Sequence, residues 1–226
     1  MDKKKQNKKK KIMAGSLLFS GIPEAQLDEV AAIAVDKTCR RGESIFFEGD
    51  EGTGFYMVVE GQVKIYKMSF DGKEQILHIF GPGEPFGEVP VFHGQPFPAN
   101  AMALVNSSLL FFPRRKFVDL VTANPSLALN MLAMLSFRLR RFAAQIESLS
   151  LKEVPGRLAA YLVYLAEEQG TTERVTLDIP KGQLASLLGT IPETLSRIFA
   201  RMTDEGLIRV DGRTILIDDF EKLREW

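Results

Sequence analysis

The chain has 226 residues, 45% of them apolar, which is enough to bury a substantial core and to build one medium domain plus a small one. Lys and Arg number 29 against 29 Asp and Glu, which excludes a protein that coats nucleic acid or an anionic membrane through bulk charge, so any DNA contact must be local. The single cysteine, Cys39, excludes an intrachain disulfide framework, a thiolate zinc site and a four-cysteine iron–sulfur cluster, and fits a reducing cytoplasm.

Residues 1–14 carry Lys3, Lys4, Lys5, Lys8, Lys9, Lys10 and Lys11, a self-repelling run predicted to be a disordered basic tail, with an accessory phosphate-binding arm as the functional alternative. Leu17, Leu18 and Phe19 form too short an apolar island for a signal peptide, and no later stretch suits a bilayer span, so no membrane partner is expected. From Ile45 to Phe112, short apolar runs alternate with glycines, among them Gly49, Gly61, Asp71-Gly72, Gly81-Pro82-Gly83 and Gly87. Glycine reaches positive φ cheaply and Asp-Gly suits a primed hairpin turn, so residues 15–124 are predicted to be a β-roll or sandwich. In Gln62–Lys67 the alternation puts Val63 and Ile65 on one face and Gln62, Lys64 and Lys67 outside it.

Past Pro125 no glycine occurs before Gly156, and good helix formers dominate, which predicts a long helix over residues 125–152. Along it Leu132, Leu135, Leu139, Phe142, Ile146 and Leu149 recur at spacings of 3, 4, 3, 4 and 3, the rhythm of a coiled-coil seam. Leu127, Met131 and Met134 supply a second stripe for the roll, leaving the seam for a parallel homodimer; a helix that only docks on its own roll is the alternative.

Residues 153–226 read as a compact module: a helix from Arg157 to Gln169, a short strand from Val175 to Ile179, two helices near 181–188 and 192–205, and a hairpin turning at Asp211-Gly212. Ala185 is small where two helices cross and Gly189 sits where the turn needs free backbone. Thr190 is predicted to cap the second helix, with Pro192 in its first turn. Glu193, Thr194, Ser196, Arg197 and Arg201 are then left on the outer face. Arg can fork onto guanine, Glu can accept from cytosine, and Ser or Thr can reach base or phosphate. The module is acidic, with nine Lys or Arg against thirteen Asp or Glu, so its DNA face must be locally basic, with Lys181, Arg197, Arg201 and Arg213 as the candidates.

With the Gly-rich roll, Gly83-Glu84-Pro85-Phe86-Gly87-Glu88, the seam helix and Glu193-Thr194-Leu195-Ser196-Arg197 in view, the chain resembles the cyclic-AMP-receptor/fumarate-nitrate-reduction (CRP/FNR) family of bacterial regulators. The resemblance covers nearly everything after the lysine run. It implies an α+β fold: an N-terminal β-roll like the cyclic-nucleotide-binding jelly roll, a dimerisation helix and a C-terminal winged helix-turn-helix. It also implies a homodimeric transcription regulator in the cytoplasm, with Glu193, Ser196 and Arg197 on the bases of an inverted repeat in double-stranded DNA, and RNA polymerase as a partner.

Cyclic-nucleotide members carry Arg-Ser or Arg-Thr about ten residues after Gly-Glu, and Pro98-Ala99 stands there, so cyclic AMP is not expected. No N-terminal cysteine cluster offers an iron–sulfur site. The soft ligands of the roll are Cys39, Met57, Met68, His78, His93 and Met102. The tracts Val154–Tyr161 and Pro192–Arg197 look like the subgroup that regulates hybrid-cluster-protein and nitrosative-stress genes, which implies haem and a gas, nitric oxide. His78 is then the first cofactor-binding candidate, and His93 the second. An organic effector on the same architecture, and a small-molecule-binding module without DNA binding, are the rival readings. An enzyme is not expected, because two histidines and one cysteine form no catalytic constellation and the glycines miss the dinucleotide spacing.

Overall fold

The computed structural model describes residues 3–226. They form two units, one holding the residues up to Ser69 with Leu77–Arg140, the other Phe70–Ile76 with Arg141–Trp226.

The first unit begins with helices α1 (Lys3–Ala14) and α2 (Glu24–Ile33), separated by a short 3-10 turn. Strands β1 (Val35–Cys39), β2 (Ser44–Phe46), β3 (Gly54–Glu60), β4 (Val63–Met68), β5 (Glu74–Phe80) and β6 (Pro85–Phe86) follow, then the short helix α3 (Val89–Phe92), β7 (Asn100–Ala103) and β8 (Ser107–Pro113). Helices α4 (Arg114–Ala123) and α5 (Pro125–Leu151) close the series. The strands make two four-stranded sheets, ordered β1-β8-β3-β6 and β2-β7-β4-β5.

Two cores explain the patterning. Phe46, Val58, Val63, Phe80, Phe86, Ala101 and Leu109 come from both sheets and pack together with Phe97, from the segment between α3 and β7. A second cluster joins Phe55, Met57, Val59, Leu110 and Phe112 to Met13, Phe19, Phe117, Leu127, Met131 and Met134 from the flanking helices. Alternate residues of β3 and β8 therefore serve different cores, so these strands are apolar on both faces. Phe112, fully buried, stacks on Phe55 at 4.8 Å and meets Phe19 and Phe117 at 5.8 and 6.1 Å. Phe112→Ala is expected to cost about 3–5 kcal/mol, seen as a lower denaturation midpoint of the roll.

The lysine run departs from expectation. Lys3–Ala14 is helical, because Met13 is fully buried in the second core and Lys9 and Lys10 form ion pairs with Asp36 and Asp28. Met1 and Asp2 lie outside the described residues. Lys64 departs too: it is 4% exposed, with its ammonium 4.5 Å from the Tyr66 ring centre. A long aliphatic stem lets a lysine lie along apolar surface, which two-residue alternation does not register. The first unit extends into α5 as far as Arg140, because Leu127, Met131 and Met134 are core residues of the roll.

The second unit contains α6 (Val154–Gln169), β9 (Arg174–Thr176), α7 (Lys181–Leu187), α8 (Pro192–Asp204), β10 (Ile208–Asp211), β11 (Thr214–Ile217) and α9 (Phe220–Glu225). Its sheet runs β10-β11-β9, all antiparallel. Strand β9 is shorter than the expected 175–179, because it pairs only with Thr214–Leu216. The end of α5 is tied into this unit by Arg157, which donates to the carbonyls of Leu149, Lys152 and Leu188, each at 2.9 Å. One planar guanidinium thus neutralises the carboxyl ends of α5 and α7 together.

Candidate nucleic-acid interface

Helices α7 and α8 meet through Leu184, Ala185, Leu195, Ile198, Phe199 and Met202, all buried. The turn between them depends on Gly189, whose φ is +67°. A Cβ there would also stand 3.1 Å from the Leu149 side chain and 3.3 Å from the Arg157 guanidinium. Gly189→Ala is expected to lower stability by about 1–2 kcal/mol, measured by denaturant unfolding. Thr190 is not the cap of α8. Its N–H donates to the Ala185 carbonyl at 2.9 Å, and Ile191 occupies the cap position without a side-chain bond. Pro192 opens α8, where no amide donor is needed.

With that face inward, the opposite face of α8 presents Glu193, Ser196 and Arg197 to solvent, and Thr194 half-buried. Arg197 Nη2 donates to Thr194 Oγ1 at 3.1 Å, which restrains a long side chain before any ligand arrives. Lys181 is half-buried, with its ammonium 4.9 Å from the Phe199 ring centre. Arg213 is exposed at the β10–β11 turn, next to Gly212 at φ +59°.

Arg201 has partners within the protein. Its Nε donates to Glu205 Oε1 at 2.8 Å, and its guanidinium lies 5.1 Å from the Trp226 ring centre. Arg209, in the wing, is likewise engaged, forking onto Asp218 at 2.8–3.1 Å and holding that carboxyl below the usual carboxylate range. Glu153, Val154, Pro155 and Arg157 of the α6 region face Thr194, Arg197, Ile198 and Arg201 across an open cleft of about 590 Å³.

The first unit holds a pair that no sequence pattern announces. Arg138 of α5 forms an ion pair with Glu88, donates to the Pro85 carbonyl and lies 5.0 Å from the Phe80 ring centre. Both charged side chains are nearly buried, at 15% and 13% exposure. Two of these three partners, Pro85 and Glu88, fall in the Gly83–Glu88 tract, but no sequence spacing links them to position 138. Pro98 is exposed, Ala99 is buried, and the adjacent Phe97 stacks on Phe46 at 3.7 Å. His78 Nε2 lies 3.7 Å from Glu84 Oε1 and the ring stands edge-on to Phe80. His93 is exposed at the end of α3. Burial pushes the Cys39 thiol up, with Glu43 adding to the effect, so it is a poor thiolate ligand. Among the described residues no group of three or more His, Cys, Asp or Glu side chains could hold a metal ion.

Of the predicted seam, Leu132, Leu135, Leu139, Phe142 and Ile146 are 38–71% exposed on α5, and Leu149 is half-buried. No single helix among the described residues is long and apolar enough to cross a membrane.

A bent pair of helices with an outward polar face and a following hairpin is a winged helix-turn-helix, and its combination with a double-sheeted roll has the architecture of a DNA-binding regulator with a separate β-rich domain. Residues 36–124 match the cyclic nucleotide-binding domain and residues 156–226 the Crp-like helix-turn-helix domain. The chain is 31% identical to the CRP-like cAMP-activated global transcriptional regulator of Mycobacterium tuberculosis, covering 94% of this chain and 96% of that one. It is 32% identical to the cyclic AMP receptor protein of Thermus thermophilus, covering 94% and 97%. The solved structure of a CooA mutant from Carboxydothermus hydrogenoformans superposes with a TM-score of 0.76 at 25% identity, over 92% of this chain and 93% of that one. The chain belongs to the CRP/FNR family: it is a transcription regulator, not an enzyme.

Proposed function

We propose that the chain works in the cytoplasm as a homodimer, paired through the α5 seam, that reads an inverted repeat with Glu193, Ser196 and Arg197 of each α8 and recruits or blocks RNA polymerase under control of a small effector. The observation that carries this reading is the division of α8: Leu195, Ile198, Phe199 and Met202 are buried, while Glu193, Ser196 and Arg197 are exposed and Arg197 is restrained by Thr194. Selection of bound duplexes from a random library tests it. Enrichment of a two-fold symmetric site is the expected result, and enrichment of no sequence under any effector condition contradicts it.

The effector is a molecule other than a cyclic nucleotide. Pro98 and Ala99 offer no guanidinium or hydroxyl to a cyclic phosphate, and the Glu88 carboxylate is already paired with Arg138.

A second reading, that of a haem-linked nitric oxide sensor of the nitrosative-stress subgroup, is favoured by one arrangement. A carboxylate hydrogen-bonded to one ring nitrogen is the usual companion of a metal-ligating histidine, and Glu84 Oε1 stands 3.7 Å from His78 Nε2, beyond hydrogen-bond distance but close enough for a small side-chain rotation to make that bond. His93 has no such support, so His78 is the residue that would hold haem, which when bound supplies an iron able to take a diatomic gas. Haem added to the purified chain is expected to give a shifted Soret band that His78→Ala abolishes. An unshifted band in the unsubstituted chain leaves the organic-effector reading in its place.

A further inference from the structure

Three arginines, Arg157, Arg197 and Arg201, line the cleft beside α8, in a unit whose net charge is acidic. On an acidic DNA reader each free guanidinium matters, because every phosphate contact strengthens binding to all sequences alike. Arg157 is committed to three backbone carbonyls. Arg201 stands one turn beyond Arg197 on the same helix, and sequence alone assigns it to DNA.

Its surroundings argue otherwise. Glu205 uses both carboxylate oxygens: Oε1 accepts from Arg201 Nε at 2.8 Å and Oε2 accepts from the Trp226 indole N–H at 3.0 Å. The Trp226 ring centre lies 5.1 Å from the guanidinium on one side, while the Arg201 side chain stays 62% exposed on the other, so these contacts hold the orientation of the group without shielding it. An exposed i,i+4 pair by itself is weak and would release Arg201 readily to a phosphate. Here the third member changes the balance, since Trp226 fixes the carboxylate and supplies a π face. Trp226 is itself anchored: α9 packs on α6, and a Cβ on Gly156 would lie 3.8 Å from the Trp226 carbonyl oxygen.

Resting on the DNA-binding reading above, we propose that Glu205 and Trp226 are positioning residues that hold Arg201 against the protein. They keep it off the phosphate backbone, so that α8 binds through Arg197 and sequence discrimination is sharpened. The clamp is a specificity device, working by withholding a contact that every duplex could accept. Glu205 sustains it well below neutral pH, because the Arg201 hydrogen bond holds its carboxyl below the ordinary glutamate range.

Binding of the full chain to its selected operator and to a scrambled duplex, followed by fluorescence anisotropy over a series of salt concentrations, tests this. Trp226→Ala and Glu205→Gln are each expected to tighten scrambled-duplex binding about 3- to 10-fold and to steepen the salt dependence by roughly 0.9 for each arginine released. The operator-to-scrambled ratio should fall accordingly. Arg201→Ala alone should leave scrambled binding unchanged, and adding it to Trp226→Ala should cancel the gain. Trp226→Phe, which keeps the ring and loses the indole donor, should fall between. Unchanged salt slopes in both Trp226→Ala and Glu205→Gln, or weaker scrambled binding in Arg201→Ala, overturn the proposal. A purely structural role for Trp226 would weaken binding to both duplexes. Absence of operator preference in the unsubstituted chain would instead defeat the regulator reading, while the scrambled-duplex slopes would still decide the clamp.

Discussion

Leu139→Asp is expected to raise the dimer dissociation constant at least a hundredfold, equivalent to about 2.7 kcal/mol, and to remove operator binding with it. In a parallel seam the same residue of each helix meets its copy, so the substitution sets two carboxylates against each other in an apolar contact. Leu139 is 71% exposed within its own subunit, which predicts little change in the roll's own unfolding. Sedimentation velocity and denaturant unfolding read the two effects separately. A substituted chain that stays dimeric, or one whose roll unfolds early, would place the role of this residue elsewhere.

Arg197→Ala is expected to produce the largest loss of sequence discrimination. A bidentate arginine on guanine contributes about 1–3 kcal/mol of discrimination, and a symmetric dimer uses it twice, giving roughly 2–6 kcal/mol in all. Operator affinity should fall by a factor of about 30 to 10⁴, while scrambled-duplex affinity changes far less. Arg197→Lys should not restore it, because a lysine cannot make the planar fork that Thr194 holds in place. Competition binding with operator and scrambled duplex measures the ratio directly. An unchanged ratio would remove Arg197 from base reading.

What the sequence disclosed follows from the range of each physical signal. Local signals were legible: Asp211-Gly212 marks the wing turn, the glycine-free run gives α5, and Gly189 holds the positive φ that the α7–α8 turn needs. Helical spacing also separates two stripes of α5: Leu132, Leu135, Leu139, Phe142 and Ile146 lie exposed along one, while Leu127, Met131 and Met134 fall on the other and are buried.

Long-range pairing was not legible. Arg138 with Glu88 and Trp226 with Glu205 join positions 50 and 21 residues apart, with no periodicity to announce them. Spacing along α8 groups Arg201 with the other DNA-facing candidates, while its contact with Trp226 comes from outside the helix and leaves no mark in that spacing. The crowded lysines of the first eleven residues suggested repulsion, but Asp28, Asp36 and a buried Met13 outweigh it in α1. Thr190 had the right chemistry for a cap, yet α8 begins one residue later.

Two subunits are expected to present Arg197 and its neighbours to successive major grooves on one side of a duplex. The most direct measurement is the mass of the complex formed on a selected full site and on the same site with one half scrambled. Two chains per full site, with affinity falling steeply on the half-scrambled duplex, is the predicted result. One chain per duplex with equal affinity for both would contradict the account.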